Sequence, residues 1–159
     1  MKKLIYVAAL SFLAFQACNN SKQVQDSQTP LTAEPPQQLL DTYWKLTELN
    51  GQMIGEANAD RKEVYLILRK AESRVQGNAG CNGYGGTYTL DPNGFNIKFS
   101  QMIRTQMACP GLDVENEYLK ALELADNYYL KNGELQIGKA RMAPSAKFIA
   151  IPDKAATLN

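Results

Sequence analysis

Histidine is missing from the chain altogether. Its absence removes the side chain best suited to proton transfer near neutral pH, and a frequent metal ligand. Ser-His-Asp and Cys-His catalysis are excluded within this chain, and so are zinc sites of the Cys2His2 type. Cysteine is scarce, with three residues and no Cys-x-x-Cys pair. No apolar run reaches the roughly 20 residues of a permanent membrane-spanning helix. An excess of charge is missing too. Once the leader described next is removed, 15 basic residues face 16 acidic ones, so nothing points to nucleic acid or an anionic surface as partner. There is no internal repeat at solenoid or propeller spacing.

What is present begins with a leader. Lys2 and Lys3 precede an apolar run from Leu4 to Phe15, which ends at Gln16-Ala17-Cys18 before the polar Asn19-Asn20-Ser21-Lys22. A positive start, a short apolar run and a small residue before the cut describe a signal peptide over 1–17. Cys18 is then the lipid-bearing first residue of the mature chain. Gln16 and Phe15 depart from the usual lipoprotein motif; the alternative is an ordinary secretory peptide with Cys18 incidental. Acyl chains add about 0.8 kcal/mol per buried CH2, so they can hold a protein on a membrane without a spanning helix. Residues 18–38 are dominated by Gln, Ser, Thr, Pro and Asn. Such a segment cannot repay the entropy of ordering and reads as a disordered tether. One domain is expected over 39–151, followed by a flexible tail over 152–159.

Within the domain, Tyr43–Leu49 alternates and runs into Asn50-Gly51, a strong tight-turn pair. Glu63–Leu68 is apolar on both faces, as in a central strand. Arg74–Gln76 starts a weaker strand leading into glycine-rich sequence. Thr87–Leu90, the turn Asp91–Gly94, and Phe95–Phe99 make a hairpin, with Phe95, Ile97 and Phe99 expected on the buried face. A single helix follows, with Asp113 as its expected N-cap and Glu115 and Glu117 favoured by the helix dipole. Its apolar stripe is Val114, Tyr118, Ala121, Leu122 and Ala125. A second hairpin turns at Asn132-Gly133, and Ala146–Ile151 is the last strand. Six or seven short strands with one helix describe an antiparallel α+β domain.

Two stretches carry a resemblance. Gly77–Tyr88, containing Gly80, Cys81, Asn82, Tyr84 and Gly86, resembles the G-x-x-G-C-N-x-[YF]-x-G-x-[YF] segment of the META domain, the HslJ-like family. Ile103–Pro110, containing Thr105, Met107 and Cys109, is similar to that family's T-[RK]-M-A-C segment, and Trp44-Lys45-Leu46 with Asn50-Gly51 fits its opening. The resemblance runs from Asp41 to Ile151. It implies a curved, partly open antiparallel barrel-like sheet packed on one main helix, and a place among envelope lipoproteins linked with stress response. Gly83, Gly85 and Gln106 stand where relatives often carry Arg, Ser and a basic residue. If those basic groups touch a partner in relatives, two contacts are missing here, and Arg104 is the candidate substitute.

Cys81 and Cys109 form the pair of interest. In a chain that has left the cytoplasm, with Cys18 committed to lipid, they are expected to join as a disulfide. Closing a loop of that length contributes about 3.5 kcal/mol in the chain-entropy model. A buried reduced pair and a reactive or metal-binding pair are the alternatives; a working thiolate needs a nearby cation, and Arg104 is the only obvious one. The glycines around Cys81 lack the Gly-Lys-[Ser/Thr] of a phosphate loop. Glu115 and Glu117 read as surface residues, not as a glycosidase pair. Trp44 and the tyrosines 65, 84, 88, 118, 128 and 129 suit either a ligand groove or a core.

No catalytic residue, metal ligand or cofactor is expected. The favoured function is a non-enzymatic binding or accessory module, lipid-anchored on the periplasm-facing side of the outer membrane, since no Asp follows Cys18. Its partner would be another envelope protein or a lipid, received between sheet and helix. The alternatives are a purely structural, stress-protective lipoprotein and a thiol-based enzyme using Cys81 and Cys109.

Overall fold

The computed structural model describes residues 38–92, 94–110 and 112–158. The leader, Cys18 and the tether as far as residue 37 lie outside the described residues. Nine strands and one α-helix follow in chain order: β1 Tyr43–Leu49, β2 Gln52–Met53, β3 Tyr65–Arg69, β4 Arg74–Asn78, β5 Gly83–Leu90, β6 Ile97–Arg104, α1 Leu112–Leu124, β7 Asn127–Lys131, β8 Glu134–Gly138 and β9 Ala146–Ile151. All strand pairs are antiparallel, in the order β6-β5-β4-β3-β1-β9-β8-β7, with the short β2 returning along β1. The fold is the α+β curved, partly open antiparallel sheet with one helix that the resemblance implies.

Local chemistry makes the turns. Asn50 (φ 49°) with Gly51 (φ 82°), and Asn132 (φ 51°) with Gly133 (φ 78°), take the doubly left-handed geometry that joins twisted strands in two residues. Curvature comes from irregular pairing. The register shifts between Leu46 and Glu48 in β1, and again between Gly85 and Thr87, where β5 meets β6. At the second place Gln101 takes a positive φ of 52°. A Cβ on Gly86 would lie 2.8 Å from Ser100 O, so the bulge needs glycine there.

The sheet curls until its two ends meet at one corner. Asn96 bridges to Asn127, and the Tyr128 N–H donates to Phe95 O at 2.7 Å. Beyond that seam β6 and β7 diverge, and α1 fills the gap. Its apolar stripe (Tyr118, Leu119, Ala121, Leu122) closes a core containing Trp44, Leu66, Leu68, Leu135, Ile137 and Phe148. Trp44, Tyr84, Tyr88 and Tyr118 are core residues, while Tyr129 is exposed.

Three expectations are corrected. β6 starts at Ile97, and Phe95 sits outside at the seam, its ring against Tyr128 and Tyr129. The helix begins at Leu112, so Asp113 lies inside its first turn and is not the N-cap. Past β9 the chain does not fray: Lys154–Thr157 forms a short 3-10 helix with Ala155 buried. Arg69 donates to the carbonyls of Ala155 and Leu158. Together, Ala155, Tyr43 and Ile67 form a second small apolar cluster on the outer side of the sheet.

Candidate functional site

The two motif segments meet at the end of the barrel where α1 begins. Cys81, in the tight turn between β4 and β5, is joined by a disulfide to Cys109, in the segment between β6 and α1. Their Cα atoms are 6.0 Å apart, within the range for such bonds. Cys81 is buried and Cys109 half-buried.

Asn82 lies beneath that bond, almost wholly buried. Its side-chain oxygen accepts from Thr105 Oγ1 at 2.8 Å and from the Met107 N–H at 2.7 Å. Its amide nitrogen donates to Met107 O at 3.2 Å and to Glu115 Oε1 at 2.9 Å. The Asn82 backbone N–H donates to Glu115 Oε2 at 2.8 Å, and its carbonyl accepts from the Ala79 N–H. Glu115, from the first turns of α1, is 0 % exposed and receives a charge-assisted bond from Arg104 Nη1 at 2.9 Å. The same Arg104 nitrogen reaches Asn116 Oδ1 at 2.9 Å.

The expected placement of Glu115 as a surface, dipole-favouring residue is therefore wrong. A carboxylate without solvent is costly unless its charge is matched and its lone pairs are occupied. Arg104 and the two Asn82 donors supply both. The signal in the sequence was Asn82 itself, an amide placed in a tight glycine turn. Its partner thirty-three residues away could not be read from spacing. Glu117, by contrast, is exposed and accepts from Asn50, as a surface residue would. Arg104, the candidate substitute for basic partner contacts, is committed to Glu115 and Asn116.

The remaining motif residues are placed by packing. Gly80 takes a φ of 113° between β4 and Cys81 and donates its N–H to Asn78 Oδ1. Tyr84 points inward and shares a 2.6 Å hydroxyl contact with Tyr118 of α1, and it also donates to Tyr65 O. Burial, followed by the neighbouring tyrosine, raises the Tyr84 pKa well above its ordinary value. Among the described residues, no buried side-chain nitrogen or oxygen lacks a partner, and no cluster of Cys, Asp and Glu has the grouping of a metal site.

Surface depressions flank the helix, two of them wide. A groove of about 510 Å3 runs between β6 and α1, lined by the apolar Met102, Ile103, Leu119 and Leu124 and by the polar Arg104, Asn116, Lys120 and Glu123. Ile103 is 72 % exposed there, and Leu124 is also exposed. A wider opening of about 800 Å3 lies at the seam, where Asn96, Lys98, Glu123, Asp126 and Asn127 mix with the apolar Leu90, Ile97 and Ala125.

A small, incompletely closed barrel, whose helix is tied to the sheet by a disulfide and a buried Asn–Glu–Arg knot, defines the class of protein. The model of the META domain matches residues 37–149, and the chain belongs to that family. A protein from Burkholderia xenovorans, solved by NMR, is similar in fold. It is 25% identical, with a TM-score of 0.53 over 72% of this chain and 84% of its own. A DUF4847 family protein from Bacteroides vulgatus, known from a crystal structure, is more distant: 18% identical, with a TM-score of 0.41 over 57% of this chain and 60% of its own. No curated protein matches the chain.

Proposed function

We propose that this META domain protein is a non-catalytic binding or accessory module of the cell envelope. It is anchored through a lipid on Cys18 to the periplasm-facing side of the outer membrane and serves in envelope maintenance or the stress response. The groove between β6 and α1 carries this reading. It is open, its apolar Met102, Ile103, Leu119 and Leu124 lie among as many polar residues, and it leaves Ile103 and Leu124 to solvent beside Lys120 and Glu123. Exposed apolar side chains gathered along a groove are a feature of surfaces that meet a partner. The motif residues support the same reading from the other side, because Asn82, Glu115, Thr105 and Met107 spend their polar groups on one another. Cys81 and Cys109 are joined, which counts against the thiol-enzyme alternative.

The structural, stress-protective reading draws on a different observation: the barrel interior is filled by large buried side chains from Trp44 to Phe148. One experiment separates the two. A photo-crosslinking residue is placed at Ile103 in the full-length chain, alongside a Cys18→Ala version, and irradiated in cells. A discrete adduct with one envelope protein or a phospholipid, lost or weakened without Cys18, is the expected outcome. Irradiation that yields no adduct at Ile103 in either version would leave the structural reading standing.

A further inference from the structure

We propose that the Cys81–Cys109 bond is a redox-sensitive latch: it straps the surface segment 105–110 over the Asn82–Glu115–Arg104 knot, and its reduction releases that segment while the barrel stays folded.

The bond joins unlike parts. Cys81 belongs to the buried core, whereas 105–108 and Pro110 are exposed, and Cys109 is half-buried. Among the described residues, the other hydrogen bonds of segment 105–110 lie in its first half, while its far end runs on into α1 at Leu112. The Thr105 N–H donates to Gly83 O, and Thr105 and Met107 bond to Asn82. From Ala108 to Pro110 the disulfide is the tie to the barrel among the described residues. The main core draws side chains from β1, β3, β4, β5, β6, β8, β9 and α1 and includes neither Cys109 nor any residue of the strap. A depression of about 300 Å3 is lined by strap residues 105–108 together with Asn82, Arg104, Leu112, Glu115 and Asn116. Lifting the strap would expose the buried Asn82 and Glu115 to water.

The accessibilities set the direction of the chemistry. A thiolate of a dithiol reductant attacks the sulfur of the more accessible Cys109. The S–S bond breaks, and Cys81 Sγ leaves with the electron pair and takes up a proton. The Asn82 side-chain amide, 3.5 Å from that sulfur, is placed to donate to the departing thiolate. The second thiolate of the reductant then displaces Cys109 from the mixed disulfide. Cys109 leaves as a protonated thiol, and the reductant ends as its own disulfide. Two electrons and two protons pass to the protein in all.

Hydrogen exchange read by mass spectrometry tests the latch on the full-length protein, oxidised and after treatment with a dithiol. Peptides covering 105–110 are expected to lose their protection when reduced, while those of β1, β3 and β8 stay protected, slowed less only by the bond's contribution to global stability. Unchanged exchange in the strap would mean that Asn82 holds it unaided, and would overturn the proposal. Loss of protection throughout the barrel would overturn it as well, by making the bond a global staple. The route is tested with glutathione, the mixed disulfide being trapped by alkylating the freed protein thiol and quenching with acid early in the reaction. Peptide mapping is expected to find the adduct on Cys109, and an adduct on Cys81 would overturn the stated direction of attack.

Discussion

Asn82 organises the site because its side chain both donates and accepts. Its oxygen faces two donors, and its nitrogen faces a carbonyl and a carboxylate. Asn82→Asp keeps the shape and removes the donor. It places an oxygen 2.9 Å from Glu115 Oε1 in a site with no solvent to screen the two charges. The cost is expected to be about 3 kcal/mol, read as a fall in the urea midpoint. Combining it with Glu115→Gln, which restores a donor opposite the new carboxylate, should recover a substantial part. If the double variant is no more stable than the single one, the pairing described here is not what the amide contributes. Polar groups spent this way mark a junction, and the family motif at these positions reads as the means of fastening helix to sheet.

At the scale of elements, β3 and β4 lie at the heart of the sheet, and glycine is needed there at one place more than at the others. A Cβ on Gly77 would fall 2.0 Å from Tyr65 O of the paired strand and 2.7 Å from the Tyr84 hydroxyl. Neither can withdraw, because the first is backbone and the second is held against Tyr118. Gly85, two strand positions beyond Gly83 on the neighbouring strand, would bring its Cβ no nearer than 3.6 Å to any neighbour. Gly77→Ala is therefore expected to lower stability by at least about 3 kcal/mol, through the lost β3–β4 pairing and displaced Tyr84. Gly85→Ala should stay within about 1 kcal/mol of the parent. Thermal unfolding of the two variants side by side checks the contrast; equal effects would show that the close approach at Gly77 relaxes without consequence. β3 also explains an oddity of its sequence. Ile67 points away from the main core yet is fully buried, because the C-terminal 3-10 helix covers it with Ala155.

For the molecule as a whole, the return of the C-terminus onto β1 and β3 is secured by the Arg69 bonds and by one carboxylate. Glu63 accepts from Tyr43 Oη at 2.6 Å and from Lys154 Nζ at 2.5 Å, and pairs with Lys45 at 3.3 Å. Burial by itself would raise its pKa. The bonds from Lys154, Tyr43 and Lys45 outweigh burial and bring the carboxyl from 4.5 down to about 2. A group whose folded pKa is depressed stabilises the fold above its ordinary value and ceases to do so as the pH falls through the folded one. The contribution of Glu63 is thus present above about pH 4.5 and lost between there and pH 2, with a size on the order of 2–3 kcal/mol. Glu63→Gln should be less stable than the parent at neutral pH and should match it near pH 2, so that the two acid titrations converge. Titrations running parallel over that range would remove the linkage.

Turn positions, the alternating strands and the apolar stripe of α1 were legible in the chain because each depends on neighbours a few residues apart. Asn50-Gly51 and Asn132-Gly133 carry their backbone geometry with them, and Tyr118, Ala121 and Leu122 lie on one face by helical period alone. The cysteine pairing was expected from the count of cysteines and from the compartment that a leader would imply. Glu115, Phe95 and the C-terminal segment were not legible, since their surroundings are assembled from distant parts of the chain. Whether a glutamate on α1 meets water or Arg104 depends on where the curled sheet leaves its gap. Whether the last residues find a surface depends on β1 lying between β3 and β9, a pairing of the first strand with the last. Local sequence sets φ, ψ and side-chain periodicity at short range. Burial of a charge, closure of a barrel and docking of an end are decided only when long-range contacts repay the entropy of bringing those parts together.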